Sequence, residues 1–203
     1  MRPLLSDDEY RFSVSHVFAI PRLEEGSAVQ LRVKFALATA PLIIPALMIL
    51  VAAGPACAAS ITIVALGASN TYGKGVARNQ AYPAQLEAML HASGSDVRVV
   101  NAGINGDTTG GMLSRLDGAV PAGTKVVILQ PGGNDARKGQ GNGAPNISAI
   151  NSRLAARGIK VVMLPNQMLS GLPHQPDGMH LTPEGYRMLA AALLPQVKSA
   201  IGQ

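Results

Sequence analysis

Four short runs in this chain are apolar at almost every position and rich in β-branched side chains: 61–66 (ITIVAL), 97–100 (VRVV), 125–129 (KVVIL) and 159–164 (IKVVML). A strand with no polar face has to be covered on both sides, so such runs belong to a sheet held between two layers of helices. Helical spacing fills the gaps between them. Leu86, Met89 and Leu90 mark a helix over 83–91, and Met112, Leu113 and Leu116 a short second one. A third is expected over 147–156 and a long last one over 182–201, where Thr182-Pro183-Glu184 supplies an N-cap and a first-turn Pro. Strands alternating with helices join through right-handed crossovers into a parallel sheet. The expected fold class is therefore α/β: a three-layer αβα sandwich with a flavodoxin-like parallel sheet of four strands, or four and a poorly formed fifth. In such sheets the working crevice lies beyond the carboxyl ends of the strands.

Composition narrows the class. Hydrophobic residues make up 47% of the 203, which excludes a chain disordered throughout. Aromatic residues are only 3% and Trp is absent, so the core is aliphatic. A single cysteine, Cys57, excludes a disulfide framework and a thiolate zinc cluster. The net charge is +5, yet residues 1–59 hold five basic and five acidic groups, so the excess lies wholly downstream. There the cations are scattered as singles and pairs. A nucleic-acid-binding face gathers them into a stripe with aromatics between, so no nucleic-acid partner is expected.

Residues 1–59 read as an address rather than as part of the fold. No charged residue occurs from Phe35 to Ala59, Arg32 and Lys34 stand just before that run, and Ala56-Cys57-Ala58 near its end is a small-x-small pattern. Basic flank, apolar run and cleavage pattern together make a secretory signal peptide, with a periplasmic or secreted mature protein. Cleavage after Ala58 or Ala59 leaves no cysteine, which suits an oxidising compartment. The alternative is an N-terminal membrane anchor, since a run of 25 such residues can span a bilayer. Pro41, Pro45 and Pro55 interrupt a continuous helix there. Cys57 raises a lipoprotein anchor, but Gly54-Pro55-Ala56 lacks the usual Leu. The mixed-charge residues ahead of Arg32 suit a leader badly, which points to a true start at Val33 or Val29. The expected organisation is an N-terminal extension plus leader over 1–59 and one domain over 60–203.

Each notable polar motif follows a strand. After the first comes Gly67-Ala68-Ser69-Asn70-Thr71-Tyr72-Gly73. It is not a phosphate-binding loop, because Tyr72 stands where the second Gly belongs and Gly75 where Ser or Thr follows the Lys. Such a turn can instead present a nucleophile, here Ser69. After the second strand comes Asn101-Ala102-Gly103-Ile104-Asn105-Gly106-Asp107-Thr108-Thr109, and after the third Gly132-Gly133-Asn134-Asp135. Alone, the first reads as a loop with a helix cap and the second as a turn. After the fourth the chain reaches Asp177-Gly178-Met179-His180, where a carboxylate precedes a histidine by three residues. Together these motifs supply every part of an acyl-transfer site. Ser69 needs an adjacent base, His180 can be that base and then the acid, and Asp177 can fix its tautomer. Gly106, lacking a Cβ, permits close approach of its N–H. With Asn134 and the Ser69 N–H it gives three donors to an oxyanion.

In the order and spacing of these four blocks the chain resembles the SGNH (GDSL-type) hydrolase family over nearly all of 61–203, and within it the secreted arylesterase, thioesterase I and lysophospholipase L1 subgroup. The stretches 99–116 (VVNAGINGDTTGGMLSRL) and 129–139 (LQPGGNDARKG) are similar to that subgroup's second and third blocks, and Tyr82-Pro83 to its first helix. The resemblance implies a secreted serine esterase acting on small carboxylic or thio esters, with Ser69, Asp177 and His180 as triad and Ser69, Gly106 and Asn134 as oxyanion hole. It makes Asn105 the neighbour that steers the Gly106 N–H. It implies no metal and no organic cofactor, and contact with a membrane only through an uncleaved leader or a lipid substrate.

Two departures bear on function. The family's first block usually reads Gly-Asp-Ser, and the Asp braces the turn; here Ala68 stands in its place. Only about forty residues separate Asn134 from Asp177, roughly half the subgroup's usual length, so a shallower pocket and short acyl groups are expected. Arg137 and Lys138 stand at the crevice edge, where a solvated loop is one reading and contact with an anionic head group or acyl carrier the other. His174, in Pro173-His174-Gln175-Pro176, lacks a carboxylate at useful spacing and is expected at the surface. The competing readings are a degenerate SGNH-fold binding module, motivated by Ala68, and a nucleotide-binding flavodoxin-like domain.

Overall fold

The computed structural model describes residues 60–203, so the leader, its cleavage and the start site lie outside the described residues. The elements run β1 (Ile61–Gly67), α1 (Ser69–Tyr72), α2 (Tyr82–Ala92), β2 (Val97–Gly103), α3 (Thr109–Ser114), α4 (Leu116–Ala119), β3 (Thr124–Gln130), α5 (Asn134–Arg137), α6 (Ala144–Ala156), β4 (Lys160–Met163) and α7 (Pro183–Ile201). The four strands form one parallel sheet in the order β2-β1-β3-β4. That is the flavodoxin-like order without its last strand. Between β4 and α7 the chain makes a 3₁₀ turn at Asn166–Leu169 and an isolated antiparallel bridge between His174 and Leu181, but no strand.

Alternation along the strands divides the core in two. Ile63, Ala65, Val97, Val99, Val126, Ile128 and Val162 face the helices α2 and α7, against Leu86, Leu90, Leu189 and Leu193. Val64, Leu66, Val127 and Leu129 face the opposite layer, against Met112, Leu116, Ile150 and Leu154. Apolar side chains on both faces are what forces the second layer of helices. The helix expected around Met112 is broken at Arg115 into the two short pieces α3 and α4. Helix α7 begins as expected, with the Thr182 hydroxyl accepting from Gly185 N at 3.1 Å. The sheet order reverses direction between β1 and β3, which opens the crevice over their carboxyl ends. Ser69 begins α1 just past β1, and Asn134 begins α5 just past β3.

Candidate active site

Ser69 opens a one-turn helix, α1, that starts two residues beyond β1. A helix this short has no stability of its own, so its neighbours must hold it. One of them is Gly103, at the end of β2. A Cβ there would stand 2.2 Å from Tyr72 N, so only glycine lets α1 lie against the sheet end.

His180 Nε2 lies 2.9 Å from Ser69 Oγ, and His180 Nδ1 lies 2.5 Å from Asp177 Oδ2. The other carboxylate oxygen, Oδ1, accepts from the backbone N–H of Met179 at 2.9 Å and of His180 at 3.0 Å. The Asp177–His180 turn is thus closed by the carboxylate itself, which is why a spacing of three brings both side chains together. The His180 hydrogen bond, then the two backbone N–H groups, hold the Asp177 carboxyl well below the usual carboxylate range. It stays ionised and fixes Nδ1 as the protonated nitrogen, leaving Nε2 to accept from Ser69. His180 is buried, at 4% exposure, while Asp177 is open to solvent.

Asn134 Nδ2 donates to Asp107 O at 2.6 Å, and Asn134 Oδ1 accepts from Arg137 Nη2 at 2.6 Å. An amide nitrogen carries two N–H bonds, and among the described residues only one of them has a partner. Lys138 Nζ donates to Gly106 O at 2.7 Å. Asn105, Gly106, Asn134 and Arg137 line one cavity of about 280 Å³ with Ser69 and His180. Every sequence-predicted site residue is therefore on this cavity except Asp177, which stands behind His180, and Lys138. A Cβ at Gly106 would meet no protein atom within 4 Å, and the φ there is +73°, a left-handed conformation that favours glycine. His174 is half-buried rather than at the surface, with Nδ1 bonded to its own loop at Leu172 O, and it does not line the cavity.

Supporting residues were not legible in the sequence. Asn70 Nδ2 donates to Met179 O at 3.1 Å and its Oδ1 accepts from Tyr186 OH at 3.1 Å, tying the Ser69 helix to the His180 loop and to α7. Burial pushes the Tyr186 phenol up to about 12, so it remains a donor. The buried Asp135 accepts from Thr109 N and Thr109 Oγ1, joining the second block to the third. Arg115 pairs with Asp107 at 2.8 Å and reaches Gly67 O at 3.3 Å. Among the described residues no cluster of His, Cys, Asp and Glu has the makings of a metal site.

A hydroxyl, an imidazole and a carboxylate joined in sequence by hydrogen bonds beyond the ends of a parallel sheet are an arrangement that can activate a serine for acyl transfer. The chain belongs to the GDSL-like lipase/acylhydrolase family, whose model matches residues 65–177. It is 36% identical over 120 residues to esterase TesA of Pseudomonas aeruginosa, covering 55% of this chain and 57% of that protein. It is 33% identical over 109 residues to an arylesterase of Vibrio mimicus, covering 52% and 54%. The chain thus spans little more than half the length of these curated relatives. A crystal structure of TesA superposes with a TM-score of 0.62 at 25% identity, over 68% of this chain and 99% of that one. The psychrotrophic esterase EstA from Pseudoalteromonas sp. shares the fold, with a TM-score of 0.61 at 19% identity over 70% and 99%.

Proposed function

We propose that this protein is an ester hydrolase that works through an acyl-enzyme on Ser69. The observation that carries this is the continuous relay from Ser69 Oγ through His180 to Asp177. Ser69 Oγ attacks the carbonyl carbon while His180 Nε2 takes its proton. The oxyanion is held by Ser69 N–H, Gly106 N–H and the free Asn134 N–H. His180 then gives its proton to the leaving alcohol or thiol. Water attacks the acyl-enzyme, His180 takes a proton from it, and that proton returns to Ser69 Oγ as the acid leaves.

The cavity, at about 280 Å³, sits at or below the lower end of small-molecule sites, about 300–1,000 Å³. Among the described residues its large apolar side chains are Leu169 and Met179. Both features favour short acyl groups over fatty chains. The curated relatives are named esterase and arylesterase, which supports the ester-hydrolase reading. Export rests on the charge-free run before Ala59; among the described residues no helix is long and apolar enough to cross a membrane.

The test is labelling by a fluorophosphonate probe beside turnover of p-nitrophenyl acetate, butyrate and octanoate, with Ser69→Ala as control. Labelling and turnover that vanish in the variant, with acetate or butyrate fastest, are expected. A folded protein that neither labels nor turns over is instead a binding module, and faster octanoate turnover overturns the short-acyl assignment.

A further inference from the structure

We propose that Gln130 is a positioning residue for the nucleophile, taking over the brace that Ala68 cannot supply; this rests on the esterase reading above. Gln130 ends β3 and pairs in register with Gly67, the last residue of β1. It is 2% exposed. Alternation puts its side chain on the face of Val126 and Ile128, where an apolar residue is the cheap choice. A buried amide is costly unless it is bonded, and neither the relay nor the oxyanion donors use this one.

Its Oε1 accepts from Ala68 N at 3.2 Å and from Thr71 Oγ1 at 3.3 Å. These donors lie on either side of Ser69, one before it and one two residues after. Both residues are buried, at 2% and 0% exposure. Ala68 is the N-cap of α1 and has no side-chain cap. Its N–H lies past the last β1 ladder position, at Gly67, and Gln130 is its only partner among the described residues. One acceptor oxygen, fixed by the end of β3, therefore anchors the first turn of α1 on either side of Ser69, where the Asn70 ties do not reach, in a single-turn helix that cannot hold itself. The same strand end leads within four residues to Asn134. Nucleophile and oxyanion donor are thus referenced to one strand.

The test uses Gln130→Met, which keeps the length and loses the acceptor, and Gln130→Glu, which keeps an acceptor oxygen. Gln130→Met is expected to lower kcat and the rate of fluorophosphonate labelling together, by roughly ten- to a hundredfold, because small misplacements of a reacting atom are costly. KM for p-nitrophenyl acetate should stay within about twofold, since the cavity wall is otherwise kept. Gln130→Glu should recover most of the loss. Independently of activity, hydrogen exchange at the Ala68 amide, followed by NMR, should speed up in Gln130→Met and not in Gln130→Glu. Unchanged exchange in Gln130→Met overturns the brace even if the wild type proves inactive, whereas a wild type that does not label overturns the esterase reading alone. Equal impairment in both variants, or wild-type kcat in Gln130→Met, also overturns it. If Gln130→Met does not fold, Thr71→Val removes one of the two donors, and an unchanged kcat in that folded variant is equally decisive.

Discussion

Gly106→Ala separates two roles that a loop glycine can play. Gly106 has φ +73° and no protein atom within 4 Å of where a Cβ would go, so the substitution clashes with nothing in the protein. The cost is conformational. A left-handed alanine costs about 1–2 kcal/mol, and the stiffer unfolded chain returns about 0.4–1 kcal/mol of it. If the loop keeps its shape, the net loss is about 1 kcal/mol of stability, or about 2–4 °C in Tm for a domain of this size. If the loop yields instead, the Gly106 N–H leaves the oxyanion site and kcat falls by about 10²–10³. The anchors decide between them. Lys138 holds Gly106 O; Asn134 holds Asp107 O; Asp107 N donates to Ile104 O at 3.2 Å; and Arg115 holds the Asp107 carboxylate. Four anchors on two adjacent residues exceed the strain, at about 1 kcal/mol for a typical hydrogen bond. The expected result is a lower Tm in a circular-dichroism melt, with kcat for p-nitrophenyl acetate within about threefold of wild type. A hundredfold fall in kcat at unchanged Tm would refute the reasoning.

Other outcomes follow from the same geometry. Asp177→Asn should lower kcat by about 10⁴ with KM little changed, because the imidazole loses the partner that fixes its tautomer; steady-state kinetics checks this. Asp177 is held below its ordinary range in the folded state, so its stabilising effect is present above the unfolded value, about 4, and is lost as pH falls below it. Melting temperatures followed downward from neutral pH should therefore drop less steeply in Asp177→Asn than in wild type. Leu189→Ala, in the fully buried layer between α7 and the sheet, should cost about 2–5 kcal/mol in urea unfolding.

The brace at Gln130 changes how the first block reads. An alanine between Gly67 and Ser69 looks like decay when the turn is considered by itself. In the folded chain the N–H of that alanine has a partner 62 residues away. A substitution inside a motif is thus judged by what reaches its backbone, not only by the side chain it removes. Arg137 shows the same effect from the other side. By position it is a candidate for a substrate's anion, but its Nη2 donates to Asn134 Oδ1, where a cation orients the amide and strengthens its N–H as a donor.

The sequence alone determined whatever depends on near neighbours. Strands buried on both faces are written as continuous apolar runs, so β1, the start of β2, β3, β4, their parallel pairing and the two helix layers were legible, and among the described residues the sheet has four strands. The Thr182 cap and the Asp177–His180 turn span three residues each and were legible for the same reason. Ser69 stands just past the end of β1, where the fold must place its crevice, whereas Asp177 and His180 lie in the loop just before α7, well past β4. Only the tertiary structure decided what lies between the blocks: Gln130 under Ala68, Asn70 between Met179 and Tyr186, Asp135 on Thr109, and the left-handed backbone at Gly106. Those bonds join residues between 26 and 116 positions apart. Which of them meet is fixed by strand register and helix packing, because a buried amide, phenol or carboxylate must find a partner and only the assembled sheet ends bring one within reach.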